Sequence, residues 1–344
     1  MNKYKLHYLI VMGICFMACS QQTNTNKTTI DLDKKVQKKI LFSSFVDSIS
    51  YIPLETNEDC LIGKIQDIIL SDSIIFVLND EQNTIFQFNQ KGKFIRKIAK
   101  VGSGPSEYNI INQITYNAKR QSISLASSKI IEYDLYGNLK NEFTPPFHIS
   151  DLYQFDNGDY LLSRLERLDD PSTLLALADT AGHIKKVLFK RNSKYKVEST
   201  NYWELIQLND GIHFITPQIE NVIYSYDGDS IKKVIDFNLF PQIPSDFYES
   251  KQGTPLLGDN YYRTIYRESQ NWVNLIFCTL KKVRTLLYNK NTNQYILGEV
   301  FENDIDNKEH IFFLSSSKGN TFTNYVKADN EENNPVIQIL HLKP

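Results

Sequence analysis

The chain has 344 residues, with 38 Lys and Arg against 40 Asp and Glu and a formal charge of −2. That length holds one large domain or two ordinary ones, and the balanced charge removes the basic footprint of a nucleic-acid binder. At 41% hydrophobic and 23% charged residues the composition excludes wholesale disorder, while 20 Tyr and 20 Phe favour half-buried pleated surfaces.

The chain opens on Lys3 and Lys5, followed by an apolar run from Tyr8 to Ala18. About eleven apolar residues are too few to span a bilayer comfortably and suit the apolar region of a signal. The run ends in Phe16-Met17-Ala18-Cys19, which resembles a bacterial lipobox with a small residue before the cysteine. The resemblance implies that residues 1–18 are a lipoprotein signal peptide, cleaved ahead of Cys19, and that Cys19 is the lipidation site. An ordinary secretory signal with an incidental cysteine is the alternative, and Phe16 stands where Leu is more usual. Ser20 in place of an Asp, and the lack of acidic side chains between Cys19 and Asp31, point to an outer-membrane lipoprotein facing the periplasm, with the cell surface as the other address. The polar residues that follow read as a flexible tether over 19–42. Cys60 and Cys278 make no disulfide framework, and no Cys-x-x-Cys or Cys/His cluster indicates structural zinc, so buried unpaired thiols are expected.

A repeat emerges next. Phe88-Asn89-Gln90-Lys91-Gly92-Lys93-Phe94 is echoed by Tyr133-Asp134-Leu135-Tyr136-Gly137-Asn138-Leu139 and by Ala178-Asp179-Thr180-Ala181-Gly182-His183-Ile184. A tighter copy spans Tyr226 to Ile231, and a degenerate one spans Tyr288 to Thr292. The Asp or Asn positions 89, 134, 179, 227 and 289 lie 45, 45, 48 and 62 residues apart. Asp or Asn bonds the backbone two residues on, and Gly accepts the positive φ of a tight reversal, so each copy predicts a hairpin turn. Two further short strands precede each turn: Ile65 to Leu70 and Ile74 to Leu78 in the first unit, Ile149 to Phe155 and Tyr160 to Ser163 in the third. Asp156-Asn157-Gly158 and Asn209-Asp210-Gly211 are turn signals between such strands. Four strands in about 45 residues is the signature of a propeller blade. A sandwich with irregular hairpins would not account for two identical intervals.

The folded part, 43–344 with an insertion at about 238–263, has room for about six such units. The expectation is all-β: a six-bladed β-propeller with four-stranded blades. Ser48 to Leu54 reads as a strand with no local partner, and Pro335 to Leu342 as another; pairing them closes the ring and covers both edges. Pro53 suits an outer strand because it donates no ladder bond. The strands between Asp304 and Thr323 are the least legible.

Four runs carry a resemblance: Tyr51-Ile52-Pro53-Leu54-Glu55, Leu61-Ile62-Gly63-Lys64-Ile65, Gly102-Ser103-Gly104-Pro105-Ser106-Glu107-Tyr108 and Asn334-Pro335-Val336. Together they resemble the six-bladed β-propeller lipoproteins of Bacteroidetes, similar in outline to NHL-type propellers. The likeness covers the mature chain and is most specific over 51–108, with Ser106 where family members often carry Gly. It implies fold and export, and supplies no agreed catalytic residues.

Gly102-Ser103-Gly104-Pro105 lacks the Gly-Lys-Ser/Thr ending of a phosphate loop and reads as a link between blades, with a ligand rim as its other use. The histidines show no metal spacing; His183 falls in a turn, and His148 precedes an inner strand from which it could reach the channel. Asp67, Asp151 and Glu204 stand near the starts of inner strands in three blades, where bonds to neighbouring blades are the first expectation. No Ser-His-Asp constellation can be placed. In propellers the links between blades and the loops joining second to third strands open on one face. Enlarged segments of these kinds, 164–173, 191–203 and 238–263, should therefore share one mouth. Aromatic and Arg side chains are the usual anchors of binding sites, which singles out Arg164, Arg167, Tyr195, Phe247, Tyr248, Tyr261, Tyr262 and Arg263. The expected function is a non-enzymatic, lipid-anchored module that binds a peptide, glycan or partner protein at this mouth. It calls for no cofactor and no metal, has the membrane as a partner through its lipid, and takes no nucleic acid. The alternative is a metal-dependent propeller hydrolase or lyase with its site in the central channel.

Overall fold

A computed structural model describes residues 26–164, 173–190, 204–215, 221–241, 261–308, 315–317, 319–328, 330 and 332–344. Apart from a 3-10 turn at Phe42–Ser44, its regular structure is entirely β, in six sheets. Blade 1 is β4 (Ile65–Leu70), β5 (Ile74–Asn79), β6 (Thr84–Asn89) and β7 (Phe94–Ile98). Blade 2 is β8 (Gln113–Asn117), β9 (Ser122–Ala126), β10 (Ile130–Asp134) and β11 (Leu139–Phe143). Blade 3 is β12 (Ile149–Gln154), β13 (Tyr160–Arg164), β14 (Thr173–Ala178) and β15 (Ile184–Lys190). Blade 4 contains β16 (Ile206–Leu208), β17 (Gly211–Ile215), β18 (Val222–Tyr226) and β19 (Ile231–Phe240). Blade 5 contains β20 (Tyr262–Glu268), β21 (Trp272–Cys278), β22 (Val283–Asn289) and β23 (Gln294–Glu302). Blade 6 is β24 (Ser315–Ser317), β25 (Thr321–Val326) and β26 (Val336–Leu342), completed by β3 (Val46–Pro53) from the other end of the chain. This is the expected six-bladed propeller.

Middle strands are buried on both faces and read as nearly unbroken apolar runs, as in Ile74-Ile75-Phe76-Val77-Leu78 of β5. Outer strands alternate; β7 buries Ile98 and exposes Ile95 and Lys97. The core therefore lies between blades. Phe76, Leu78 and Ile85 of blade 1 pack on Ile114, Ile123, Leu125 and Tyr133 of blade 2. Phe322 and Leu340 of blade 6 meet Trp272 and Leu287 of blade 5, and Ile337 reaches Ile75 and Phe86 of blade 1.

The repeated turns have the expected chemistry. Asn89 Oδ1 accepts from the amides of Lys91 and Lys93, Asp134 Oδ1 from Tyr136 and Asn138, and Asp179 Oδ1 from Ala181 and His183. The fifth, degenerate copy keeps the Asn289 bonds to the amides of Asn291 and Thr292, and Asn293 takes the left-handed conformation (φ 57°) in place of a glycine. Six blades have five such turns because blade 6 receives its outer strand from the N-terminal side.

Ring closure is antiparallel, running from Val336 opposite Pro53 to His341 opposite Ser48, with Pro53 on the outer strand as its missing amide requires. The tether expectation is corrected for 26–42. β1 (Asn26–Asp31) runs parallel to β19, and β2 (Gln37–Leu41) parallel to β23, as fifth, outermost strands of blades 4 and 5. Their stability comes from burying Ile30, Leu32 and Ile40, which are all at most 1% exposed, against these blades. The proposed insertion shrinks too: residues 238–240 end β19 and 262–263 begin β20.

Charged groups are buried between blades where they are paired. Glu268, fully buried, accepts from Tyr266 Oη and from Lys290 Nζ (2.7 Å), and lies 3.0 Å from His213 Nδ1 of blade 4. Burial pushes the Glu268 carboxyl up, but His213 and Lys290 outweigh it and hold it below its ordinary value. Removing one partner of such a cluster leaves the others buried and unpaired. Glu268→Ala should cost about 3–5 kcal/mol of stability in urea titration, and a loss below 1 kcal/mol would contradict the assigned role. A Cβ on Gly92 (φ 74°) would lie 1.9 Å from the Pro53 carbonyl oxygen, whereas one on Gly228 (φ 102°) would meet nothing within 4 Å. Gly92→Ala should therefore cost about 2 kcal/mol or more and Gly228→Ala only about 1 kcal/mol, by the same measurement; equal losses would contradict the contact.

Candidate functional site

Around the axis, the first strands β4, β8, β12 and β16 wall a cavity of about 500 Å³. Its wall includes Ser71 and Asp72, Ala118 and Lys119, Asp156, Asn209, Gln270 and Gly319. These belong to the turns joining first to second strands in all six blades, so those turns gather at one end of the ring. By strand alternation, the second-to-third loops and the links between blades lie at the opposite end. The cavity is thus a cup that opens away from the loop-rich face.

The deep part of the cup is charged. Asp67 and Asp151 are the third residues of β4 and β12, each beside a register shift that turns the side chain to the axis. Asp67 Oδ1 accepts from the Ile68 amide (2.8 Å), and Gln113 Nε2 lies 3.4 Å from its Oδ2. Asp151 is 4% exposed; its oxygens accept from the amides of Leu152 and of Leu205 in the next blade, both at 2.7 Å. The bond to Leu205 is the inter-blade role expected of such carboxylates. Glu204 pairs with Arg267 of β20, whose Nη1 also donates to the Tyr266 carbonyl (2.8 Å). Desolvation dominates the carboxyls: it pushes Asp67 up to about 6 and Asp151 up to about 8, with Asp67 raising Asp151 further. Arg267 is pushed down to about 10 by burial, against the pull of Asp67 and Asp151. Carboxyl groups from blades 1, 3 and 4 thus lie within electrostatic reach of one guanidinium from blade 5, which Glu204 pairs directly. Nearer the mouth, the half-buried rings of Tyr116 and Tyr153 form part of the wall, and burial pushes the Tyr153 hydroxyl up to about 12.

Among the described residues, no group of three His, Cys, Asp or Glu is arranged to hold a metal. His148 is exposed and absent from the cup lining, and His183 pairs with Asp179 at the surface. Cys60 is buried and Cys278 half-buried, and both are free thiols. The Gly102–Pro105 link is pinned to blade 2 by Lys129 Nζ on the Gly104 carbonyl (3.0 Å) and Glu142 on the Ser106 amide (2.7 Å). Glu107 already occupies the Gly104 amide (2.8 Å), leaving no anion cradle there. Ser106 adopts φ 58°, the conformation for which Gly is favoured at this position.

Strand direction puts Arg164, Tyr261, Tyr262 and Arg263 at the loop-rich end, in blades 3 and 5. Each of three has a partner within the fold. Arg164, 8% exposed, lies over the Phe147 ring at 5.7 Å. Arg263 donates to Asn221 Oδ1 (3.0 Å). Tyr261, 5% exposed, donates to Asp33 Oδ1 (2.8 Å) under the Arg284 guanidinium, and so helps to dock the N-terminal segment. Tyr262 is half-buried. Arg167, Tyr195, Phe247, Tyr248 and Cys19 lie outside the described residues. Sequence alone does not single out Arg267, because a lone Arg near a strand end resembles an ordinary edge charge.

Closed ring, blade-on-blade core and axial cup define a six-bladed β-propeller of the exclusively β kind. The chain belongs to the family described as Domain of unknown function (DUF4934), which matches residues 27–341. It is similar to a Bacteroides fragilis protein predicted to be exported, at 18% identity and TM-score 0.77, over 92% of this chain and 100% of that one. A member of the DUF4221 family from Bacteroides vulgatus is similar at 13% identity and TM-score 0.53, over 87% of this chain and 97% of the other. No curated protein matches the chain.

The Asp151 carboxyl makes a signed prediction. Below about pH 4 both folded and unfolded chains hold its proton; between about 4 and 8 only the folded chain does, so stability falls as pH rises and the loss is complete above 8. Asp151→Asn removes this contribution. The melting temperature of the variant relative to wild type should rise between pH 5 and pH 9, and an unchanged difference would contradict the buried, proton-holding carboxyl.

Proposed function

We propose that the protein is an exported binding module, anchored to the periplasmic side of the outer membrane through lipid on Cys19, that takes a small polar ligand in the axial cup. The single observation that carries this reading is the preformed cup on which the carboxyl groups of Asp67, Asp151 and Glu204 converge from three blades, with Glu204 paired to Arg267. Pockets of this size, with converging polar groups and aromatic walls, are the usual form of small-molecule sites. Burial favours the protonated form of the Asp151 carboxyl, and in that form it donates a hydrogen bond to a hydroxyl or carbonyl. Half-buried Tyr116 and Tyr153 add aromatic side chains to the wall, so a sugar unit or the end of a peptide matches the lining. In the hydrolase or lyase reading a cation would sit among these carboxylates, but the Arg267 guanidinium supplies the positive charge at that place. The basic start, apolar run and Cys19 support export and anchoring.

The test is a thermal-shift screen of the mature protein against mono- and disaccharides and short peptides, followed by calorimetry on the hits. A cup ligand should raise the melting temperature, and Tyr153→Ala should weaken its binding by about 1–2 kcal/mol. Hits that are indifferent to Tyr153→Ala and Gln270→Ala, or turnover of a hit that needs an added divalent metal, would overturn the reading.

A further inference from the structure

The first three strands form a belt. β1, β2 and β3 are the outermost strands of blades 4, 5 and 6 in succession. The belt is fastened where it crosses from blade 4 to blade 5: the Leu32 amide donates to the Phe240 carbonyl (2.7 Å), Arg284 Nε donates to the Leu32 carbonyl (2.9 Å), and Asp33 accepts from Tyr261 and Lys282. The chain is therefore fixed to the propeller from Asn26 onward.

This fixes where an anchor at Cys19 can hold the domain. Only residues 20–25 separate Cys19 from β1, and seven Cα steps reach at most about 25 Å. A domain of this length has a radius of gyration near 20 Å and is roughly 50 Å across. β1 begins opposite Ile235, midway along β19, so the chain joins the propeller at the rim of blade 4, between the two faces. Blade 1 lies across the ring from blade 4. The belt supplies a matching surface: between Asn26 and Leu41 stand five lysines against two aspartates, with Lys34, Lys35, Lys38 and Lys39 exposed. Lys34 pairs with Asp31 and Lys39 with Glu302, while the basic character of the edge suits anionic headgroups. Blade 1's edge is also basic, from Lys91 to Lys100, so chain length rather than charge selects blade 4.

Resting on the reading of Cys19 as the lipid anchor, we infer that the belted rim of blades 4 and 5 is a docking surface for the lipid bilayer. The propeller stands on edge, with its axis along the membrane plane and the cup open sideways. An acidic cup rim, with Asp72 and Asp156, stays clear of the headgroups in this pose.

The experiment uses lipidated full-length protein in vesicles of phosphatidylethanolamine and phosphatidylglycerol carrying a headgroup-linked acceptor dye. A donor fluorophore is placed by an unnatural amino acid at Lys233 on blade 4 or at Lys93 on blade 1. The pose predicts several-fold higher energy transfer from position 233 than from 93, and loss of that difference when a long Gly/Ser linker is inserted after Ser20. Equal transfer from both positions, with the protein floating with the vesicles, means a face-on or free pose and overturns the docking surface alone. Wild type that fails to float, like Cys19→Ala, overturns the anchor and the docking surface with it.

Discussion

One pairing governs this molecule: the antiparallel ladder between β26 and β3, which joins residues 336–342 to residues 46–53. Every other blade completes itself from consecutive strands. Without this ladder blade 6 would lack its outer strand, and the buried faces of blades 6 and 1 would have no fixed register. Joining positions so far apart costs loop entropy, but that cost grows only logarithmically with length. It is offset by apolar burial on both sides of the closing blade, where Ile337 faces blade 1 and Leu340 faces blade 5.

Closure also creates the site. Asp67, Asp151, Glu204 and Arg267 come from four blades and meet only because the ring brings first strands to one axis. Burial there is tolerated because Arg267 pairs with Glu204, while the raised carboxyls of Asp67 and Asp151 accept backbone amides. The same rule holds off the axis, where Glu268 is matched by His213 and Lys290, and Glu132 by the fork of Arg120.

What the sequence discloses follows the range of the interactions. Turns at 89, 134, 179, 227 and 289 are local chemistry, an Asx side chain bonding its own backbone, and they stand out without any knowledge of the fold. The closing strands are legible because each lacks a neighbour of its own. β1 and β2 were hidden, since Thr- and Lys-rich parallel strands carry no alternation; their signals are Ile30, Leu32, Val36 and Ile40 within a polar stretch, and the unusual lengths of β19 and β23. Asp67, Asp151 and Glu204 were readable as inner-strand carboxylates, but their convergence on Arg267 depends on a strand more than sixty residues beyond the nearest of them. Arg164, Tyr261 and Arg263 show the opposite limit: residue types suited to binding that the fold employs in its own packing.

The central claim is that the ring is one cooperative unit shut by the β26–β3 ladder. Native-state hydrogen exchange tests it most directly, by comparing the opening free energy of the β3 and β26 amides with those of the buried strands β5 and β21. The account predicts that the closing strands exchange only through global unfolding, at the same free energy as β5 and β21. Amides of β3 that open at much lower free energy, while β5 and β21 stay protected, would show that the ring does not depend on its closure.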